Sequence, residues 1–338
     1  AMHHRSALHH RSKPGLIRHI VISCSLLLLW GLSGQCADQA FSAEPAAPAA
    51  SPNTLSGHEL LRIGTIHDQQ EHFPESLTYY NLALSKFREK RQPQGIATTL
   101  VKIARIDERQ GHLQQAHTSL KEAVSLFAKA SDRSAHAESL LAIGRVSAQL
   151  GLSDESRDAL TQAAALFTRV RNARGWNDTM VQLGLLQIAQ GENSAGLTTL
   201  QQASEEARTR RHMDQQFTAT VALGDAHWLL GHTSDARSAY LDALSLAEAE
   251  HHLPFEGMMQ LRLARLDADK TSLNDRVAQG KRALQIAQAI HDTAAEAEAW
   301  SLLADLYRQL GQATESQEAD THALAIYRNR EVSVHGNR

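Results

Sequence analysis

The chain has 338 residues, 42% of them hydrophobic and 5% aromatic, with a formal net charge of −3 at pH 7. The charge is unevenly placed: residues 1–36 carry Arg5, Arg11, Lys13 and Arg18 and no acid, leaving 30 basic against 37 acidic residues beyond them, a net −7. A mildly acidic body with no dense basic face excludes nucleic acid as the main partner, and having only Cys24 and Cys36 confines thiol chemistry to the N-terminal segment.

Residues 1–36 read as a signal peptide or a membrane anchor. A basic start precedes an apolar run from Ile20 to Leu32, then Ser33, Gly34, Gln35 and Cys36. The run is short for a stable span, which needs roughly 17–25 residues. Cleavage after Cys36 or near Ala43 is the first expectation, and an uncleaved N-terminal membrane tether the second. The protein is therefore expected to be exported: periplasmic, secreted, or held in the inner membrane. Residues 37–56 form an Ala/Pro/Ser tract with three prolines and no helical apolar period, which reads as a linker.

From residue 57 to about 330 the chain repeats every forty residues. Ala83, Ala123, Ala163, Ala203, Ala243, Ala283 and Ala323 form one register. Gly64, Ala104, Gly144, Gly184, Gly224, Ala264 and Ala304 form a second, each preceded by Ile or Leu. Seven units in phase, starting near 57, 97, 137, 177, 217, 257 and 297, predict an all-α solenoid with one continuous interior. Residues 331–338 are left as a C-terminal tail.

In the first unit Leu60, Leu61, Ile63, Gly64 and Ile66 mark the apolar stripe of a first helix. A turn is expected near Glu71, where later units place Gly111, Gly151, Gly191, Gly231 and Gly311. A second helix follows from about Pro74 to Glu89, with Tyr80, Ala83, Leu84 and Phe87 facing inward. Segments such as 91–95, 131–135 and 251–254 are expected to be loops. The small residues let two helices approach closely, so Leu at Gly184 or Ala203 should cost about 1–3 kcal/mol. Truncating Leu183 or Leu223 to Ala should cost about 2–5 kcal/mol. In the last unit Asp320 replaces the bulky residue found at Tyr80, Leu160 and Tyr240, which predicts a polar closing helix and no further helix after Arg330.

Trp300, Leu303, Ala304, Tyr307, Gly311 and Ala323 resemble the W-x2-L-G-x2-Y…A pattern of the tetratricopeptide repeat. The stretch from Asp292 to Gly311 is similar to the forty-residue variety found in Leu-Gly-Asn-type adaptors and in many bacterial multirepeat proteins. The resemblance implies a right-handed α-solenoid of seven helix-turn-helix repeats. Unit six departs from the pattern: Arg276 stands where a small residue is usual, Thr271 where the turn glycine is usual, and Gly280 inside the second helix. Local distortion is expected there.

The resemblance further implies a concave groove lined by the first helices, commonly holding a peptide or a helix. By phase, Arg62, Lys102, Arg105, Arg109 and Arg145 form a basic zone in it, partly neutralised by Asp68, Glu108 and Glu138. Leu185, Ile188, Asp225 and Trp228 lie at an apolar centre, and Arg265 in a mixed C-terminal zone. Trp228 stands out because the other units place Asp68, Glu108, Ala148, Ile188, Ala268 or Arg308 there. It either anchors a partner or folds back against its own helix pair. No Asn lies at the groove positions equivalent to Thr65, which argues against capture of a peptide through its backbone.

Histidine is plentiful, but His67 and His72, His112 and His117, and His227 and His232 are each five apart. Within a helix that spacing puts the rings on different faces, so no metal site is expected. Phosphate-binding glycine loops, H-E-x-x-H and nucleophile elbows are absent from the sequence. The expected function is thus a non-enzymatic scaffold without cofactor that binds a protein or peptide partner. The alternatives are a small-molecule or sugar-binding module using the apolar centre, and a cytosolic peptide-sensing regulator.

Overall fold

The computed structural model describes residues 54–266 and 272–335, with side chains up to residue 329. The signal segment, most of the linker, Ala268 and Thr271 lie outside these residues. Among the described residues every element is helical, and the fourteen helices pair in chain order. They are α1 Gly57–Gln69, α2 Phe73–Glu89, α3 Pro93–Arg109, α4 Leu113–Ala130, α5 Arg133–Leu150, α6 Ser153–Arg169 and α7 Ala173–Ala189. Then follow α8 Asn193–Thr209, α9 Met213–Leu229, α10 Thr233–Ala249, α11 Leu253–Arg265, α12 Leu273–Ala289, α13 Thr293–Gln309 and α14 Ala313–His335. This is an α-solenoid of seven helix pairs. No described helix is long and apolar enough to cross a membrane.

The chain divides into two compact units, one ending at Glu192 and one beginning at Asn193. The first holds α1–α7 and buries clusters around Phe87, Phe127 and Phe167. The second holds α8–α14 and buries clusters around Phe217 with Tyr240 and around Leu303 with Leu306.

Both small-residue registers are buried throughout, and the reason is specific. A Cβ added at Gly64 or Gly224 would come 2.6 Å from the ring of Tyr80 or Tyr240, and one at Gly144 would come 2.8 Å from Leu160. In these three repeats the bulky residue of the second helix therefore rests on the bare backbone of the first. The accompanying Ile/Leu register is less uniform. Ile143, Leu263 and Leu303 are buried, whereas Ile63, Ile103, Leu183 and Leu223 are half-buried, so truncating Leu183 or Leu223 should fall at the low end of the expected range.

The segments expected as loops are shorter than supposed. Pro93 opens α3 at its first turn, and Pro254 does the same for α11, positions where the missing N–H costs nothing. From the second pair onward, each first helix begins four residues before the repeat starts read from the sequence. Every second helix from α2 to α12 is followed by a left-handed residue, at Arg91, Ser131, Arg171, Arg211, His251 and His291. The first helices other than α11 end alike, at Glu71 (φ 61°) and at the five turn glycines (φ 74–84°). At these closures, Ser131 apart, the N–H of the residue after the left-handed one bonds back over five residues, as from His72 to the carbonyl of His67 at 2.9 Å, closing the helix in a Schellman turn.

Repeat six keeps the architecture by exchanging large and small residues. Elsewhere Ser76, Ser156 and Ser316 donate to the carbonyls of Gly64, Gly144 and Ala304 at 2.7–2.9 Å. Arg276, buried, donates its Nε to the matching carbonyl of Ala264 at 2.9 Å. One turn on, where Tyr80 sits in repeat one, Gly280 leaves room for Leu303: a Cβ there would lie 3.0 Å from its Cδ2. The expected distortion shows as a shorter first helix, α11, of 13 residues against 17 in its neighbours α9 and α13.

Candidate functional site

Within the first unit, successive first helices are tied by a ladder of ion pairs. Asp68 on α1 is buried, accepts from the Tyr80 hydroxyl at 3.2 Å and meets the Arg105 guanidinium on α3. One repeat on, Glu108 takes Nε and Nη2 of Arg145 on α5, both at 2.7 Å, and Nε2 of Gln149 at 2.9 Å. Arg109 pairs with Glu71 at 2.7 Å and lies 4.7 Å over the Phe73 ring. Second helices are linked likewise, Arg88 to Glu122 and His117 to Glu155, each at 3.1 Å. The partners stand 37 or 38 residues apart along the first helices, a step just short of the repeat.

The basic zone is thus largely internal cement. Arg105, Arg109 and Arg145 neutralise acids of the preceding repeat, while exposed Arg62 and half-buried Lys102 stand outside these pairs. Burial, followed by the charge of Arg105, lowers the Lys102 ammonium below its ordinary range. Beside the ladder, burial pushes the Asp178 carboxyl on α7 up to about 6 against the pull of Arg174 and Arg145. Leu185 and Ile188, on the same helix, are buried.

In the second unit the ladder moves back by one helical turn. Asp225 on α9 is buried, accepts from the Tyr240 hydroxyl at 2.6 Å and pairs with Nε of Arg262 on α11 at 3.0 Å. Arg265 pairs in turn with Glu298 on α13. The position that holds the ladder acid in repeats one and two holds Trp228 here, and its side chain is 45% exposed. Of the ten groove positions expected from sequence, the described structure therefore commits five to pairs between repeats, buries two aliphatic ones, and leaves Arg62, Lys102 and Trp228 to face outward in part or in full.

Residues 297–330 match the family described as tetratricopeptide repeat. The fold is a tetratricopeptide-repeat array. Solved structures agree at low identity. The apo form of RapI has a TM-score of 0.61 at 10% identity, over 81% of this chain and 98% of that one. Aspartyl phosphate phosphatase F from Bacillus subtilis gives 0.60 at 9% identity, over 80% and 70%. A Rap protein complexed with competence and sporulation factor gives 0.57 at 13%, over 82% and 77%. Among curated proteins no sequence matches the chain.

Sequence reasoning missed one arrangement in this tetratricopeptide-repeat chain. Two of the three pairs of histidines five apart do meet, because the Schellman turn folds the residue past the cap back over the last helical turn. His232 donates its N–H to the His227 carbonyl at 2.9 Å, and the two rings face each other with Nδ1 atoms 3.4 Å apart. The Asp235 carboxylate lies 3.9 Å from the His227 Nδ1. His67 and His72 repeat the ring pairing at the first turn, with centroids 6.0 Å apart against 5.7 Å. The signal was the turn glycine, Gly231, set four after the first histidine and immediately before the second.

Proposed function

We propose that this chain is an exported, non-enzymatic tetratricopeptide-repeat scaffold that holds a protein partner on its first helices, with Trp228 as an anchor. The observation that carries this reading is the exposure of Trp228, 45% open at a position that repeats one and two use for an internal ion pair. An indole there contributes nothing to the ladder, whereas exposed aromatic side chains commonly dominate contact energy in a partner's interface. The acidic body and the internal use of most groove arginines favour an apolar contact over capture of an acidic segment. The basic and apolar start of the chain supports export.

The test is capture of partners from the exported fraction by the purified protein and by Trp228→Glu. The variant should keep its helical content and lose the captured protein; unchanged capture would remove Trp228 from the interface. A second reading, a peptide-sensing regulator, draws on the likeness to a Rap protein complexed with competence and sporulation factor. N-terminal sequencing of the mature chain separates the two: removal of about 36–43 residues supports the exported scaffold, and an intact N-terminus in the cytosolic fraction supports the regulator.

A further inference from the structure

We propose that the turn between α9 and α10 binds a divalent transition-metal ion of the zinc class through Nδ1 of His227, Nδ1 of His232 and a carboxylate oxygen of Asp235. The distance between the two nitrogens is the first argument. Two Zn–N bonds of about 2.0–2.1 Å meeting at a tetrahedral angle place their nitrogens about 3.3–3.4 Å apart. The Nδ1 atoms stand at 3.4 Å. Ligand atoms of all three residues lie within 4.8 Å of one another, and they form the one such group of three among the described residues.

The second argument is how the backbone holds the group. The Schellman turn around Gly231 (φ 78°) fixes the two histidine backbones through the 2.9 Å bond from His232 to His227. Asp235 follows three residues later in the first turn of α10, one helical turn from His232 and on its side. Two ligands thus ride on helical backbone and the third on a turn locked between helices. His227 is mostly enclosed, whereas Asp235 is exposed and free to rotate the remaining distance from 3.9 Å to a bonded position.

The third argument is what the rings are not doing. His252 occupies the same N-cap position before α11, and its Nδ1 caps that helix by accepting from the N–H of Phe255 at 3.3 Å. His232 makes no such cap and turns its Nδ1 toward His227 instead. In repeat one the rings of His67 and His72 pair similarly, but His67 stacks flat on Tyr79 at 5.3 Å and no third ligand joins them. Three protein ligands leave a fourth position for water or for a donor from a partner.

Co2+ titration of the full chain, followed by visible absorption, tests the site. His3, His4, His9 and His10 are changed to Ala in every sample, so that the N-terminal histidine pairs do not contribute. One equivalent should bind with the intense band of a four-coordinate ion and be displaced by Zn2+. His232→Ala and Asp235→Asn should each weaken binding about tenfold or more. His72→Ala, in the equivalent turn of repeat one, should leave it unchanged. Absence of the band at one equivalent, or equal binding by His232→Ala, overturns the proposal and leaves the two rings as a hydrogen-bonded pair.

Discussion

At Glu108 a buried carboxylate receives two guanidinium nitrogens and an amide, which satisfies most of its acceptor capacity. Removing Arg145 strands that charge, so Arg145→Ala should destabilise the protein by about 3–5 kcal/mol in urea unfolding. Arg88→Ala, which breaks an exposed pair with Glu122, should cost no more than about 1 kcal/mol. Equal costs would refute the division between buried rungs and surface pairs. Asp178 makes the opposite prediction. Its folded value, about 6, lies above the ordinary carboxylate value of 3.8, so the native state holds a proton that the unfolded chain has released between those values. Its contribution to stability is present below about pH 4 and is lost as pH rises through 6. Asp178→Asn should therefore gain about 1–2 kcal/mol at pH 7.5 and gain nothing at pH 3.5, measured by unfolding at both. The basic residues were legible in sequence, but their partners were not, because a 37-residue step is set by the distance between helices and matches no sequence period.

For the helices, neighbours decide what the apolar stripe means. Ile66 belongs to the stripe of α1, yet it is 48% exposed. In later repeats the equivalent Ile106, Val146, Leu186, Ala226, Leu266 and Leu306 are buried, and Val146, Leu266 and Leu306 pack into clusters with the repeat before. The last helix mirrors this. Leu324 and Tyr327 stand where repeat one has Leu84 and Phe87, but they are 53% and 43% exposed. The sequence predicted a polar closing helix from Asp320, and Arg308 does pair with Asp320 at 2.9 Å, yet α14 also shows these two large apolar side chains. Leu84→Glu should accordingly lower stability by several kcal/mol, on the order of a lost core leucine plus a buried charge. Leu324→Glu should change it by no more than about 0.5 kcal/mol. Thermal unfolding of the pair decides, and a large loss from Leu324→Glu would show that α14 packs against something else.

In the whole molecule, the five buried clusters described above each draw on neighbouring helices within their own unit. Stability should then be a sum of local terms. Leu120→Ala and Leu303→Ala, from clusters in different units, should each cost about 2–5 kcal/mol. Together they should cost the sum to within about 0.5 kcal/mol, and a larger coupling in the double mutant would contradict the local scheme. The sequence alone determined the forty-residue period, the helix pairs, the turn glycines and the small-residue registers. All of these are local requirements of backbone geometry and close helix contact, repeated seven times, so a linear pattern carries them. Only the tertiary structure decided which arginines are consumed between repeats, which stripe positions stay open, and that histidines five apart meet across a turn. Those outcomes depend on how far a side chain reaches from one helix to the next and on how a closing turn folds back, distances that residue spacing does not encode.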